Sequence, residues 1–255
     1  MTPLLAVEKV NRYFGGLHAL AEVDMAVEKD QIKGIIGPNG AGKTTLFHLI
    51  SGNLPLSSGN VYFDGEEITG LKPYLVAERG ISRTFQTIRL CGHMTVLENV
   101  MLGCHVRSKA GFLASILKLP WTLREERDVR GQAECMLETL GLVDLANEPA
   151  ENLPFGKQRA VELARAIAGD PKLLLLDEPA SGLNIHETEE LAILIAGTRA
   201  LGITILLVEH DMSLVMEICD ELMVLNFGKK IAEGTPKDIQ KNPAVVEVYL
   251  GEADA

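Results

Sequence analysis

The sequence is short of several things, and each shortage excludes something. It has four cysteines in 255 residues, Cys91, Cys104, Cys135 and Cys219, with no C-x-x-C pair. That spacing argues against a metal site or a disulfide framework, so the thiols read as reduced and buried. No apolar run reaches the roughly 18 residues that a membrane-spanning helix requires. The opening "MTPLLAVEKV" lacks a basic region followed by a long apolar stretch, and no secretory signal is expected. Positive charge is scarce, 24 Lys and Arg against 35 Asp and Glu, a formal net charge of -11. Such a balance excludes a broad nucleic-acid footprint, which needs a basic surface. The arginines of "RGISRTFQTIR", Arg79, Arg83 and Arg89, then read as a solvated face or a partner contact. There is no repeat of fixed period, no low-complexity segment and no long heptad run.

What is present is a chain with 47% hydrophobic residues, enough for one large domain or a core with a subdomain. Val23, Met25 and Val27 alternate with Asp24, Ala26 and Glu28, the period of a half-buried strand. "QIKGIIG" is a short apolar strand running into a glycine loop, and "TTLFHLIS" reads as the helix after it. "GNVYFDGEEI" reads as a strand turning at Asp64-Gly65. Further on, "PKLLLLDEP", "GITILLVEHD" and "DELMVLNFG" are apolar runs separated by helical stretches, typical of parallel strands buried on both faces. From about residue 90 to residue 152 only helical patterns occur: Val96, Leu97, Val100 and Met101 at helical spacing, then "REERDVRGQAECMLETLGL" ending near Gly141. Near the C-terminus Thr235 is the expected N-cap of a helix with Pro236 in its first turn. The fold class predicted is α/β. It comprises a parallel-sheet P-loop core, an antiparallel β subdomain and an inserted helical subdomain over about 90–152, all within a single domain of residues 1–255.

Gly37, Pro38, Asn39, Gly40, Ala41, Gly42, Lys43 and Thr44 spell G-x-x-x-x-G-K-[ST], with Thr45 following, between an apolar strand and a helix. Glycines let backbone N–H groups curl around phosphate oxygens, and the helix N-terminus adds positive potential. Lys43 is placed to reach the β- and γ-phosphates of a nucleotide and Thr44 to offer its hydroxyl to Mg²⁺. "LLLLDEP" delivers Asp177 and Glu178 at the C-terminal end of a buried strand, where open α/β sheets bind ligands. Asp177 suits the Mg²⁺ shell and Glu178 the polarisation of an attacking water. His210 follows the strand "ITILLVE" and either contacts a γ-phosphate or is structural. Gln86 follows "ISRTF" and either senses Mg²⁺ or the water, or is an ordinary polar loop residue.

In order and spacing these motifs resemble an ATP-binding cassette, the nucleotide-binding subunit of an ABC transporter, over nearly the whole chain. The resemblance implies that Phe14 stacks on adenine, better placed than Tyr13, and that Gln86 is the glutamine of the Q-loop. It implies that Ser181–Asn184 form the D-loop, with Asn184 where Asp is usual, and that His210 is the switch histidine. It also implies that two cassettes sandwich two ATP molecules, each bound by one subunit's P-loop and the other's signature. The signature here is Leu153, Pro154, Phe155, Gly156 and Lys157 instead of Leu-Ser-Gly-Gly-Gln. Pro154 lacks both a hydroxyl and an N–H and is suited to the first helical turn. The N–H groups of Phe155, Gly156 and Lys157 then remain as donors, backed by the helix dipole. Lys157 either adds its charge toward the opposing γ-phosphate or points into solvent.

"RTFQTIRLCGHMTVLENV", "DEPASGLN", "LLVEHDM" and the terminal "VVEVYLGE" are similar to the cytoplasmic ATPase of branched-chain amino acid importers, the LivG type, in which "LPFG" is a subfamily form of the signature. The resemblance implies an ATP- and Mg²⁺-dependent ATPase on the inner face of the cell membrane. It would be bound to transmembrane permease subunits and paired with a second ABC ATPase, homo- or heteromeric. Other solutes, urea, amides or exported lipopolysaccharide, are served by related cassettes. A soluble ABC ATPase of ribosomes or DNA fits less well, with one cassette in an acidic chain. A P-loop kinase leaves the signature and Glu178 unexplained. The apolar segment "GFLASILKLPW" at 111–121 either touches a membrane partner or packs within the helical subdomain.

Overall fold

Two hydrophobic rhythms build two different sheets. In the computed structural model, which describes residues 2–104 and 120–250, the alternating segments are antiparallel and the continuous apolar runs are parallel. β1 (Leu5–Phe14) and β2 (Leu17–Val27) form a hairpin over Gly15-Gly16. β4 (Ser58–Phe63) and β5 (Glu66–Glu67) complete a four-stranded sheet in the order β2-β1-β4-β5. Val23, Met25 and Val27 point into the core while Asp24 and Ala26 face out, as the period of two demands. β1 carries no clean alternation because its register is broken by irregularities, and sequence patterning did not single it out.

The second sheet runs β10-β9-β3-β8-β7-β6, from β3 (Ile32–Ile36), β6 (Ile81–Arg83), β7 (Leu173–Asp177), β8 (Thr204–Val208), β9 (Glu221–Asn226) and β10 (Lys229–Gly234). Its strands are parallel except for the β9–β10 hairpin. β10 was not anticipated from the sequence. It is a charged edge strand with Lys229, Lys230 and Glu233, a composition that blunts edge-to-edge pairing and hides the strand signal. β3, β7 and β8 are buried along their whole length. Their side chains divide between two cores. Leu173, Leu175, Leu206 and Val208 face the antiparallel sheet and α1 (Lys43–Ile50). Leu174, Leu176, Ile205 and Leu207 face the remaining helices.

Those helices are α2 (Pro73–Glu78), α3 (Val96–Cys104), α4 (Pro120–Thr139), α5 (Phe155–Ile167), α6 (Ile185–Ala200), α7 (Met212–Ile218), α8 (Pro236–Lys241) and α9 (Pro243–Leu250). Between β6 and β7 the described residues hold helices but no strand. α3 packs on α4 and on α5, so the helical layer runs on past residue 152. Residues 111–119 of the apolar segment at 111–121 lie outside the described residues, as do the side chains of the two that follow. Thr235 caps α8, its hydroxyl accepting from the Asp238 N–H at 3.3 Å, with Pro236 next. All four cysteines are free, but only Cys104 and Cys219 are buried, and burial raises both thiols above their ordinary pKa; Cys91 and Cys135 are exposed, contrary to the sequence expectation. Among the described residues no helix is long and apolar enough to cross a membrane.

A buried charge joins the two sheets. Lys33, in the middle of β3, is 2% exposed, and its ammonium donates to the Ala26 carbonyl at 2.7 Å, to Glu221 at 2.8 Å and to Glu233. It pins β2 of one sheet to β9 and β10 of the other. Removing one partner of a buried ion pair strands the opposite charge. Lys33→Ala is expected to destabilise the protein by roughly 2–3 kcal/mol, below the full buried-pair loss because both carboxylates reach solvent. Urea denaturation checks this; a change under about 0.5 kcal/mol, the ordinary surface range, would show that Lys33 pins nothing.

Candidate nucleotide-binding site

β3 ends at Ile36 and the chain enters the glycine loop before α1 begins at Lys43. Two glycines there cannot be replaced without displacing backbone. Gly37 has φ +145°, and a Cβ would lie 2.0 Å from the Leu225 carbonyl oxygen. Gly42 has φ +104°, and its Cβ would lie 2.7 Å from the Ala19 oxygen. No side chain caps α1, so its first-turn N–H groups face the loop. Lys43 is buried, its ammonium donating to the carbonyls of Gly37 at 2.6 Å and Pro38 at 2.8 Å. A cleft of about 350 Å³ opens over the loop, lined also by Thr44, Thr45, Phe14, Ala19, Glu178 and Phe227. Phe14 lines it, with the Arg12 guanidinium 4.6 Å from its ring centroid. Tyr13 is instead stacked on His18, centroids 4.0 Å apart.

The parallel register brings the acids beside this loop. Val208 of β8 pairs with Ile35 of β3 on one side and with Asp177 of β7 on the other. Asp177 is nearly buried and its Oδ2 accepts from Arg83 at 2.7 Å. Arg83 also donates to Ser51 Oγ at 2.9 Å and lies 3.3 Å from His48 Nδ1. Burial and, next, the Arg83 charge hold His48 below its ordinary pKa. The sequence reading of Arg83 as solvated or partner-facing is therefore corrected: its side chain is 7% exposed and it holds Asp177. Arg89 remains exposed, its guanidinium 4.6 Å from the Phe85 centroid, and Arg79 pairs with Glu66 at 3.5 Å.

Glu178 has φ +46°, rare for a residue with a side chain, and its N–H is tied to the Val208 carbonyl at 2.9 Å. This backbone turn aims the carboxylate at two other loops. Gln86 Nε2 donates to Glu178 Oε2 at 2.7 Å, and His210 Nδ1 lies 3.9 Å from the same oxygen. Gln86, Glu178 and His210 are thus gathered at one point from the ends of β6, β7 and β8.

Glu209 escaped sequence reasoning because a glutamate before His210 reads as surface. It is fully buried, and burial raises its pKa against three backbone donors. They are the N–H groups of Ala180 at 2.7 Å, His210 at 2.9 Å and Asp211 at 3.3 Å. One carboxyl group therefore ties the loop after Glu178 to the loop carrying His210.

The segment Leu153–Lys157 lies apart from the cleft lining. Pro154 is the N-cap of α5 and not a first-turn residue. Its ψ of 151° is extended, and its carbonyl accepts from the Gln158 N–H at 3.0 Å, so helical backbone begins at Phe155. The Phe155 ring packs against Gly182, where a Cβ would lie 3.1 Å from it. Lys157 pairs with Glu190 at 2.9 Å and lowers that carboxyl's pKa by the hydrogen bond it donates. Asn184 accepts from the Glu187 N–H at 3.1 Å while Glu187 accepts from the Asn184 N–H at 3.0 Å. Asn184 is thus half of a capping box for α6.

One turn into α5, Arg159 does what no motif announced. It is 4% exposed, pairs with Glu162 at 2.9 Å, and donates to the carbonyls of Phe85 at 3.0 Å and Gln86 at 2.9 Å. The backbone under Gln86 is therefore held by the helix that begins at Phe155. The available signal was an Arg and a Glu three apart on a helix otherwise apolar on that side.

A strand, a glycine loop and a helix, with acids delivered by neighbouring parallel strands, define a P-loop nucleotide-binding protein. Residues 20–181 match the family model described as ABC transporter, and residues 229–255 that of the branched-chain amino acid ATP-binding cassette transporter. The chain is 44% identical to the high-affinity branched-chain amino acid transport ATP-binding protein BraF of Pseudomonas aeruginosa, across 98% of this chain and 99% of that one. It is 43% identical to LivG of Escherichia coli over the same shares. A solved ATP-binding cassette of an ABC transporter, in its ADP conformation, superposes with a TM-score of 0.86 at 36% identity, covering 98% of this chain and 100% of that one. The chain belongs to the ABC transporter family, in the group of branched-chain amino acid ATP-binding cassettes. It binds ATP and is an ATPase whose hydrolysis is coupled to transport.

The Arg159 grip is testable without stranding a buried charge. A double change, Arg159→Met with Glu162→Leu, replaces the pair by apolar groups, which is commonly neutral for stability. The fold should hold and ADP affinity stay near wild type. Turnover at saturating ATP should fall about ten-fold, the size of roughly 1.4 kcal/mol of lost positioning. Steady-state kinetics with parallel ADP titration decide; wild-type kcat in the folded double variant contradicts the role.

Proposed function

We propose that this protein is the ATPase subunit energising a membrane permease for the uptake of branched-chain amino acids. The observation that carries the mechanism is the convergence of Gln86 and His210 on one oxygen of Glu178 beside the glycine loop. The solute class is supported by the relatives at 43–44% identity and by the match at the C-terminus. In this reading the N–H groups from Gly37 to Thr45, Pro38 excepted, and the Lys43 ammonium hold the phosphates. Adenine stacks on the face of Phe14 that Arg12 does not cover. Glu178 polarises the attacking water, and Gln86 and His210 place that water and the γ-phosphate. Thr44, Gln86 and Asp177 supply hard oxygen donors, a set suited to Mg²⁺, which keeps several waters and phosphate oxygens of its own. Bound there, Mg²⁺ would supply positive charge against the phosphate oxygens. Arg83 keeps Asp177 aimed through its 2.7 Å hydrogen bond.

A second cassette, identical or related, faces this cleft with its own Phe155, Gly156 and Lys157, and permease subunits hold the pair at the inner face of the membrane. Residues 1–255 act as one cassette, with the helical unit of about 90–152 as its inserted part. Lys157 can leave Glu190 for a γ-phosphate. An exposed ion pair is worth roughly 0–1 kcal/mol, less than the roughly 1.5–3 kcal/mol of a charge-assisted hydrogen bond.

Glu178→Gln should bind MgATP normally and lose about 100-fold or more of its turnover, because an amide cannot take a proton from water. Gel filtration with MgATP should show the variant as a dimer. Turnover at the wild-type rate would remove Glu178 from the mechanism. Lys157→Ala should raise the ATP needed for half-maximal turnover about ten-fold and leave ADP affinity unchanged. An unchanged ATP requirement would leave the backbone N–H groups and the helix dipole as the whole signature.

A further inference from the structure

The turn between β9 and β10 has only two central residues, Phe227 and Gly228, since Asn226 pairs with Lys229 across it. Both have positive φ, 43° and 75°. That is the backbone of a type I′ hairpin turn, whose first central position favours Asn, Asp or Gly. A phenylalanine there is strained, and strained aromatic residues persist where something else requires them. It is also 85% exposed, the most exposed of the large hydrophobic side chains among the described residues. Local packing explains neither choice.

The turn is fixed in place. The Gly228 N–H donates to the Ala41 carbonyl at 3.0 Å, and the Gly228 carbonyl accepts from the Ala21 N–H at 2.8 Å. A Cβ on Gly228 would meet the Ala19 oxygen at 2.6 Å, so the turn lies hard against β2 beside the glycine loop. Phe227 is therefore presented from a rigid base, and it lines the same cleft as Phe14, Leu17 and Ala19. The polar half of that cleft is the loop with Lys43 and Thr44, and its apolar half is made by these four residues. A nucleotide has the same division, phosphates at one end and a flat, weakly polar base at the other.

We propose that Phe227 is a second base-binding residue, an aromatic wall that holds adenine in the cleft together with Phe14. This rests on the ATP-binding reading above and adds to it a residue from the far end of the chain. The strained turn is what places an aromatic ring there.

The variant that tests it is Phe227→Asn, because asparagine suits the turn. Fold and function are then expected to move in opposite directions. The unfolding temperature should stay level or rise, as strain is relieved. The dissociation constant for MgADP should rise about ten-fold, in the range of a lost base–aromatic contact. The dissociation constant for magnesium tripolyphosphate, which has no base, should not change. Phe227→Tyr should keep MgADP affinity. MgADP affinity within about two-fold of wild type in Phe227→Asn would overturn the proposal, and so would equal losses for MgADP and tripolyphosphate, which would indicate a displaced loop. Failure of the wild-type chain to bind MgADP would instead count against the nucleotide-site reading itself.

Discussion

The site depends on the in-register parallel pairing of three short strands. Ile35, Val208 and Asp177 lie side by side across β3, β8 and β7, so the glycine loop, His210 and Glu178 leave the sheet at one level. Neighbouring strands are about 4.8 Å apart, close enough for side chains from adjacent ends to meet. The register is held by burial. In β7 alternate leucines serve opposite cores, Leu173 and Leu175 one, Leu174 and Leu176 the other. A slip of one residue would exchange the two sets and carry Asp177 out of line with Val208.

Onto that frame two buried arginines stretch the segment carrying Gln86. Arg83 anchors its beginning by holding Asp177, and Arg159 holds the carbonyls of Phe85 and Gln86. Buried guanidinium groups are stable only with acceptors in place, and here the acceptors are Asp177, Glu162 and the loop backbone itself. Gln86 is thus an exposed side chain on a clamped backbone. Any shift of α5 moves that backbone directly. Glu209 does the equivalent on the other side, joining Ala180 to His210 through hydrogen bonds to main-chain N–H groups. The three groups that meet at Glu178 are thus braced by two buried charges, Arg159 under Gln86 and Glu209 between the loop after Glu178 and His210.

The departures from the common signature have local explanations. Phe155 fills the space over Gly182 that a smaller residue would leave open. Lys157 pairs with Glu190 on α6, and Asn184 caps that same helix. The segment Leu153–Lys157 and the segment Ser181–Asn184 are therefore packed against each other within one chain.

The sequence alone determined what depends on short-range order. The glycine loop was legible because phosphate chemistry needs Gly, Lys and Thr at fixed spacing on a strand-to-helix turn. The acids after "LLLL" were legible because a fully apolar run marks a buried strand and its end. The half-buried strand carrying Val23, Met25 and Val27 and the cap at Thr235 followed from periodicity and capping chemistry. Only the tertiary structure decided the rest. Arg83 looked solvated because nothing local reveals that Asp177, 94 residues away, will lie 2.7 Å from it. Arg159, Lys33 and Glu209 are charges that also take partners from other elements, and a buried charge is indistinguishable from a surface one until those partners are placed. Pro154 appeared to be inside its helix because sequence locates the start only to within a residue or two. β1 and β10 went unread because one is irregular and the other is a charged edge, and both owe their strand conformation to the neighbour they pair with.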